Sequence, residues 1–342
     1  MKVAVVGIGA VGGVIASKID KEYSPVMISR NKEIVNAIRE KGLKIKDVFS
    51  RSDKISCCPS IYSSFDEQSE KFDIIFLCTK ATTVVDAAKD AINYLTDIGF
   101  LVSFQNGIVE DSLLEFVPEK RLVGGIIGFG ATMHSPGNVE MTSEGEIVVG
   151  ELDGRITERL KVLKSILDNV IETRITENIR GAKYSKLLIN ACITTMGAVS
   201  GLTLGEMLSK PEFRAVFRRI LYEGVEVAKR KGIKLEKISG VSIHKLAASE
   251  REVNNRLCLS KYYKDLIIKI IGRKYRKLKS SSLQSLERKR KTEVDFINGI
   301  IVSYGKEVGF DTPVNSKLVE IVHEIEEGKR EISPDNLKEL VV

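Results

Sequence analysis

The spacing of apolar and polar residues changes character near the middle of the chain. In the first half, short β-branched or aromatic runs at 2–6, 25–28, 72–78 and 100–104 alternate with stretches of helical period at 82–95 and 110–116. A strand covered on both faces reads as a continuous apolar run, so this alternation predicts βαβ units and a parallel sheet. More closely spaced strand patterns at 123–133, 138–142 and 146–149, around Pro136-Gly137, predict antiparallel additions to that sheet. From about residue 176 the strand patterns stop. Phe296, Ile297, Ile300, Ile301 and Tyr304 recur at helical spacing, and Thr312-Pro313 has the form of an N-cap followed by proline at the first helical position. The expected architecture is an α/β domain over 1–175 followed by an all-helical domain over 176–342.

The first strand runs straight into Gly7-Ile8-Gly9-Ala10-Val11-Gly12, with a helical pattern behind it and the second strand at 25–28. This context makes the glycines a dinucleotide loop. Gly7 permits a tight turn, Gly9 lets the backbone approach a pyrophosphate, and Gly12 lets the new helix lie close to the sheet with its N-terminal amides toward the phosphates. The end of the second strand selects the dinucleotide. An NAD site places Asp or Glu there for the ribose hydroxyls, whereas this chain reads Ser29-Arg30-Asn31-Lys32. The forked guanidinium of Arg30 suits a 2′-phosphate, which favours NADP(H). The competing reading, a solvated charge opening the next helix, sets a cation against the helix dipole.

Length and composition fit two globular domains: 342 residues, 43% apolar and 29% charged. No stretch approaches the ~18 apolar residues of a membrane span. A first strand beginning at residue 2 leaves no room for a signal peptide, so the expected location is the cytoplasm. Five cysteines without ligand-like spacing fit a reducing compartment, and three histidines far apart in sequence give no reason to expect a metal. The charge is unevenly placed. Residues 261–280 hold eight basic residues and one acid, a local +7 equal to the formal net charge of the whole chain. Tyr263, Ile267, Ile270 and Ile271 keep helical spacing there, which predicts an amphipathic basic helix. Its first reading is a solvated cationic face, its second the steering of anionic substrate and cofactor. A nucleic-acid contact lacks any accompanying reader motif and is not expected.

In the helical half, Lys186, Asn190 and Thr194 fall at i, i+4 and i+8 among apolar neighbours. Such a stripe faces water or lines a site, and the nucleotide motif upstream favours the site. Further on, Ser281-Ser282-Leu283-Gln284 leads to Thr292-Glu293-Val294-Asp295-Phe296-Ile297-Asn298-Gly299. With the glycine loop and the Lys-x-x-x-Asn helix, these segments resemble the ketopantoate reductase (2-dehydropantoate 2-reductase) family over nearly the whole chain. The resemblance implies a Rossmann domain followed by an all-helical domain of the 6-phosphogluconate dehydrogenase-like type, with the active site in the cleft between them.

It implies roles as well. The six residues from Gly7 to Gly12, Ser29, Arg30 and Lys80 would hold NADPH, and Asn106 would touch both cofactor and substrate. Lys186 would be the general acid, Glu293 would sit beside the reacting centre and the nicotinamide ribose, and Asn190, Thr194, Ser281 and Gln284 would face the substrate. The chemistry agrees, because reducing a 2-oxo acid builds negative charge on an oxygen that an ammonium both stabilises and protonates. Thr194, Leu204 and Ser285 stand where the family carries amides or an aspartate, so a drier pocket that favours apolar 2-oxo acids, as in a mandelate-type dehydrogenase, is the second expectation. A non-catalytic NADP-binding protein is the third, and retention of Lys186, Asn190 and Glu293 speaks against it. The expected partner is a small 2-oxo acid, with no membrane and with a homodimer left open.

Overall fold

The computed structural model describes residues 1–47, 52–56, 60–237, 242–254 and 259–341. Cys57, Cys58 and Cys258 lie outside them, and Cys78 and Cys192 are free thiols. The chain divides into two compact units, Met1–Gln105 with Val109–Arg180, and Asn106–Ile108 with Gly181–Val342, against an expected division after residue 175.

The first unit contains β1 (Val3–Val6), α1 (Ala10–Tyr23), β2 (Val26–Ile28), α2 (Lys32–Lys41), β3 (Leu43–Asp47), β4 (Ser52–Ser56), β5 (Ile61–Tyr62), β6 (Phe72–Leu77), α3 (Ala81–Ala91), β7 (Leu95–Ser103), α4 (Glu110–Leu114), β8 (Leu122–Ile127), β9 (Gly130–Ser135), β10 (Asn138–Ser143), β11 (Ile147–Glu151), α5 (Glu158–Leu167) and β12 (Thr173–Ile175). Eight strands form the main sheet in the order β12-β11-β8-β7-β6-β1-β2-β5. β1 lies between β2 and β6, parallel to both, and Val3, Val5, Ile74 and Phe76 are buried in its core. The expected parallel sheet is present, and β11 joins it antiparallel to β8.

The expected place of 123–133 and 138–142 needs correction. The pattern read as one strand breaks after Ile127, and β9 and β10 belong to a second sheet of order β4-β3-β10-β9. The partner that draws them away is β3, which the sequence reading missed. It alternates buried Leu43 and Ile45 with exposed Lys44 and Lys46 and pairs parallel with β10, Ile45 opposite Val139. Leu43, Ile45, Val139 and Met141 share one core with Val14, Ile15 and Ile19 of α1. The small sheet therefore closes over the outer side of the helix that begins at the glycine loop, and Gly13 keeps that approach close: a Cβ there would lie 3.0 Å from Val139 Cγ2.

The second unit is helical, and no strand follows β12 among the described residues. Its elements are α6 (Ile179–Asn190, entered from the first unit), a π-helical turn at Ala191–Thr195, α7 (Met196–Ser200), α8 (Leu204–Ser209), α9 (Pro211–Arg230), α10 (Glu250–Asn254), α11 (Leu259–Lys274), α12 (Ser281–Glu287), α13 (Asn298–Glu307), α14 (Pro313–Glu326) and α15 (Asp335–Lys338). The long α9 contributes Phe213, Val216, Phe217, Ile220 and Leu221 to the core. Thr312 and Pro313 occupy the N-cap and first positions of α14 as expected, but the Thr312 side chain makes no capping bond. The cap is Glu223 of α9, which accepts from the backbone amides of Val314 and Asn315 at 2.9 Å each and from Asn315 Nδ2 at 2.6 Å. Burial pushes this carboxyl up in pKa, while the amide donors oppose the shift.

The basic segment is helical only as far as Lys274, and the four residues expected to share one face are divided between the core and the surface. Ile268 is buried, and Ile267 and Ile271 pack against the core, while Tyr263 and Ile270 turn outward together with Tyr262 and Leu266. No helix among the described residues is long and apolar enough to cross a membrane.

Candidate active site

The glycine loop is built as a phosphate cradle. Gly7 has φ +90°, and a Cβ there would lie 2.6 Å from the Thr79 backbone nitrogen. A Cβ at Gly12 would meet the Gly7 carbonyl oxygen at 2.2 Å. These two glycines are demanded by the fold itself, one by the turn and one by the approach of α1. Gly9 differs: a Cβ built there meets no atom within 4 Å. The fold around Gly9 leaves open space beside the loop, which suits the close approach of a ligand. The first turn of α1 contains no acidic residue, leaving its N-terminal dipole for an outside anion. These residues fit a dinucleotide pyrophosphate.

A cavity of about 280 Å³ extends from Gly7 past Ile28 to Arg30, and is closed on the other side by Phe65 and by Thr83 and Asp90 of α3. Arg30 supplies the only guanidinium of its lining and donates to Asp90 at 2.9 Å. Ser29 is buried beneath, its hydroxyl accepting from the Asn31 amide, and does not reach the lining. Lys80 is exposed at the N-cap of α3 and also lies off the lining. Thr83 and Asp90, which the sequence reading did not select, come from the α3 face that Arg30 meets.

In the second unit, α6 carries Lys186 and Asn190 one turn apart. Lys186 Nζ donates to Asn106 Oδ1 at 3.0 Å. The turn that presents Asn106 depends on Gly107, whose φ is +81° and where a Cβ would fall 2.0 Å from the Phe296 carbonyl oxygen. Asn106, Lys186 and the segment around Glu293 are thus brought together from three distant parts of the chain. Burial first, and then the like charge of Lys183, lower the pKa of Lys186 to about 8, with the carboxylate of Glu293 opposing both. Lys183, buried one turn before Lys186, was missed in the sequence, although its i−3 spacing was visible.

The stripe does not continue to Thr194 as drawn on a regular helix, because α6 gives way to the π turn after Asn190. The bulge has identifiable supports. Thr194 Oγ1 donates to the Asn190 carbonyl at 2.7 Å, and Asn298 Nδ2 donates to the Ala191 carbonyl at 3.4 Å. Asn298 in turn accepts from Thr195 Oγ1 at 2.5 Å and donates to Asn315 Oδ1 at 2.9 Å. The last asparagine of the Thr292–Asn298 motif is therefore a buried strut under the π turn that ends α6. Ser281 is exposed at the start of α12, and Gln284 Nε2 donates to the Lys279 carbonyl at 3.4 Å. Leu204, expected to face the substrate, is instead buried in the helical core.

A Rossmann-type unit with a phosphate loop, followed by a helical unit carrying a lysine of lowered pKa, defines a nicotinamide-dependent oxidoreductase. Comparison with known proteins narrows the class. The family model for ketopantoate reductase PanE/ApbA matches residues 3–154, and the model for the C-terminal part of the same family matches residues 178–326. The chain belongs to the ketopantoate reductase family. It is 30% identical over 329 residues to a 2-dehydropantoate 2-reductase of Archaeoglobus fulgidus, covering 96% of this chain and 98% of the relative. It is 27% identical to one of Pyrococcus abyssi, covering 96% and 100%. Among solved structures, a PanE/ApbA family ketopantoate reductase from Ralstonia eutropha superposes with a TM-score of 0.80 at 24% identity, covering 97% of this chain and all of that one. D-mandelate dehydrogenase with NADH and anilino(oxo)acetate gives 0.81 at 22% identity, covering 96% and 99%. At these identities the structural likenesses speak for the fold.

Proposed function

We propose that this chain reduces 2-dehydropantoate to pantoate with NADPH, as a cytoplasmic enzyme acting on a free 2-oxo acid. The observation that carries the reading is the contact of Lys186 with Asn106, next to a carboxylate at Glu293 and on the same helix as Asn190. The glycine loop and Arg30 would hold the cofactor, which supplies the hydride when bound. Lys186 would donate the proton: as the carbonyl carbon becomes tetrahedral its oxygen gains charge, the ammonium stabilises that charge, and transfer from Nζ completes the hydroxyl. The lysine then regains its proton from water. Asn106 would hold the ammonium in place through the 3.0 Å bond, and Asn190 would face the substrate one turn away.

A pKa near 8 suits this role, since the group stays protonated at neutral pH and gives its proton up readily. The pH profile has a definite sign. The acid must be protonated, so kcat/KM for reduction falls as pH rises through about 8. Glu293→Gln removes the carboxylate that holds the proton on Lys186 and moves this limb to lower pH. Lys183→Met removes a repelling cation and moves it to higher pH. Steady-state rates across the range check both, and two shifts of the same sign would contradict the assignment.

Thr194 favours a second reading of the specificity. Its hydroxyl hydrogen is committed to the Asn190 carbonyl, so it offers no donor to a distal substrate hydroxyl. A site without that donor discriminates weakly between 2-dehydropantoate and the apolar 2-ketoisovalerate. NADPH consumption against a panel of 2-oxo acids, including benzoylformate, tests both readings. The expected preference for 2-dehydropantoate is modest, and Thr194→Asn raises it by about two- to tenfold, the worth of one restored hydrogen bond. A wild-type preference of a thousandfold or more would contradict the weak discrimination, and no turnover of any 2-oxo acid would contradict the reaction.

A further inference from the structure

Asp90 is the one residue of the nucleotide cavity whose charge opposes the ligand assigned to it. The cavity runs to Arg30 at the end of β2, where a 2′-phosphate would be received, and Asp90 lines the same cavity from α3. Its Oδ2 lies 2.9 Å from Arg30 Nη2, and both side chains are about three-fifths exposed, 61% and 62%. An NAD site uses a carboxylate to accept from ribose hydroxyls, and an NADP site uses cations for the phosphate. Here one guanidinium and one carboxylate stand together, with the carboxylate on the opposite wall from its usual place after the second strand.

We propose that Asp90 is a specificity-determining residue that tempers the preference for NADPH over NADH, by sharing the Arg30 guanidinium and repelling a 2′-phosphate bound there. The inference rests on the reading of this cavity as the adenosine site. A 2′-phosphate near Arg30 has a carboxylate within a few ångströms, and the two anions compete for the same donors. NADH brings no phosphate and suffers no such penalty, and its 2′-hydroxyl can donate to the carboxylate. Both side chains are largely solvated, so the repulsion is screened and the effect is moderate, about three- to tenfold in affinity.

The test is the pair of dissociation constants for NADPH and NADH, read from nicotinamide fluorescence without substrate, for wild type, Asp90→Asn and Arg30→Ala. Both residues are exposed and outside the core, so the variants fold. Asp90→Asn is expected to move the affinity ratio toward NADPH by about three- to tenfold, and added KCl to shrink that gain. Arg30→Ala is expected to move the ratio toward NADH. An unchanged ratio in Asp90→Asn overturns the inference. So does an equal weakening of both cofactors, which would make the carboxylate a reader of the adenine amino group. Failure of the wild type to bind either cofactor overturns the reading of the cavity itself, and this inference with it.

Discussion

Lys186→Ala is expected to lose about a thousandfold to a hundred-thousandfold in kcat while binding NADPH as the wild type does. The size combines two losses: a positioned general acid contributes about 10²–10⁴, and a donor aimed at the developing oxyanion a further 10²–10³, only partly independent because one ammonium does both. The affinity for cofactor is preserved because the glycine loop and Arg30 belong to the first unit, and Lys186 does not. Lys186→Arg separates the two contributions, since a guanidinium keeps the positive charge but is a poor proton donor at neutral pH. It should recover a small part of the loss and no more. Burst kinetics alongside a cofactor titration checks the assignment, and wild-type turnover in Lys186→Ala would end it.

Gly9→Ala is expected to leave the fold intact and to weaken NADPH binding by about tenfold to a hundredfold, the worth of the charge-assisted hydrogen bonds that a Cβ would push away. Gly12→Ala supplies the contrast. Its Cβ would stand 2.2 Å from the Gly7 carbonyl, so α1 must shift and thermal stability must fall together with affinity. At Gly9 nothing beyond the adjacent chain lies within 4 Å of the added carbon, so thermal stability should hold. Melting curves with and without NADPH distinguish the two variants. A Gly9→Ala protein stabilised by NADPH as well as the wild type would mean that the loop does not cradle a pyrophosphate.

Much of this arrangement was legible in the residues. The alternation of apolar runs and helical stretches predicted the parallel sheet because a strand buried on both faces has few ways to be written. The glycine loop was legible because its spacing follows a strand and opens a helix, and the fold demands glycine at Gly7 and Gly12. Pairing at a distance was not legible. The pattern at 123–133 and 138–142 points to the main sheet only while β3 goes unrecognised, five residues in which buried Leu43 and Ile45 alternate with exposed lysines. The cap of α14 was sought in Thr312, next to it in sequence, and was found in Glu223, 89 residues earlier. Local pattern also could not anticipate the π turn at Ala191–Thr195, since its supports come from Asn298 and Asn315.

The site divides the same way. The motif residues Lys186, Asn106 and Glu293 were named from the sequence, and resemblance supplied their roles. Lys183 and Asp90 were passed over because each reads as ordinary helix-surface charge until the fold sets it against a partner. Leu204 was placed at the substrate by its position in a motif, but α8 turns it into the core. A motif fixes which residue stands at a position, and the direction of its side chain depends on what packs around the helix.

The most direct measurement is the product balance of the wild-type enzyme given NADPH and 2-dehydropantoate, with pantoate identified by mass and its amount compared with the NADPH consumed. One pantoate is expected for each NADPH oxidised, with both lost together in Lys186→Ala. NADPH binding without pantoate formation, at any pH below the pKa of Lys186, would contradict it.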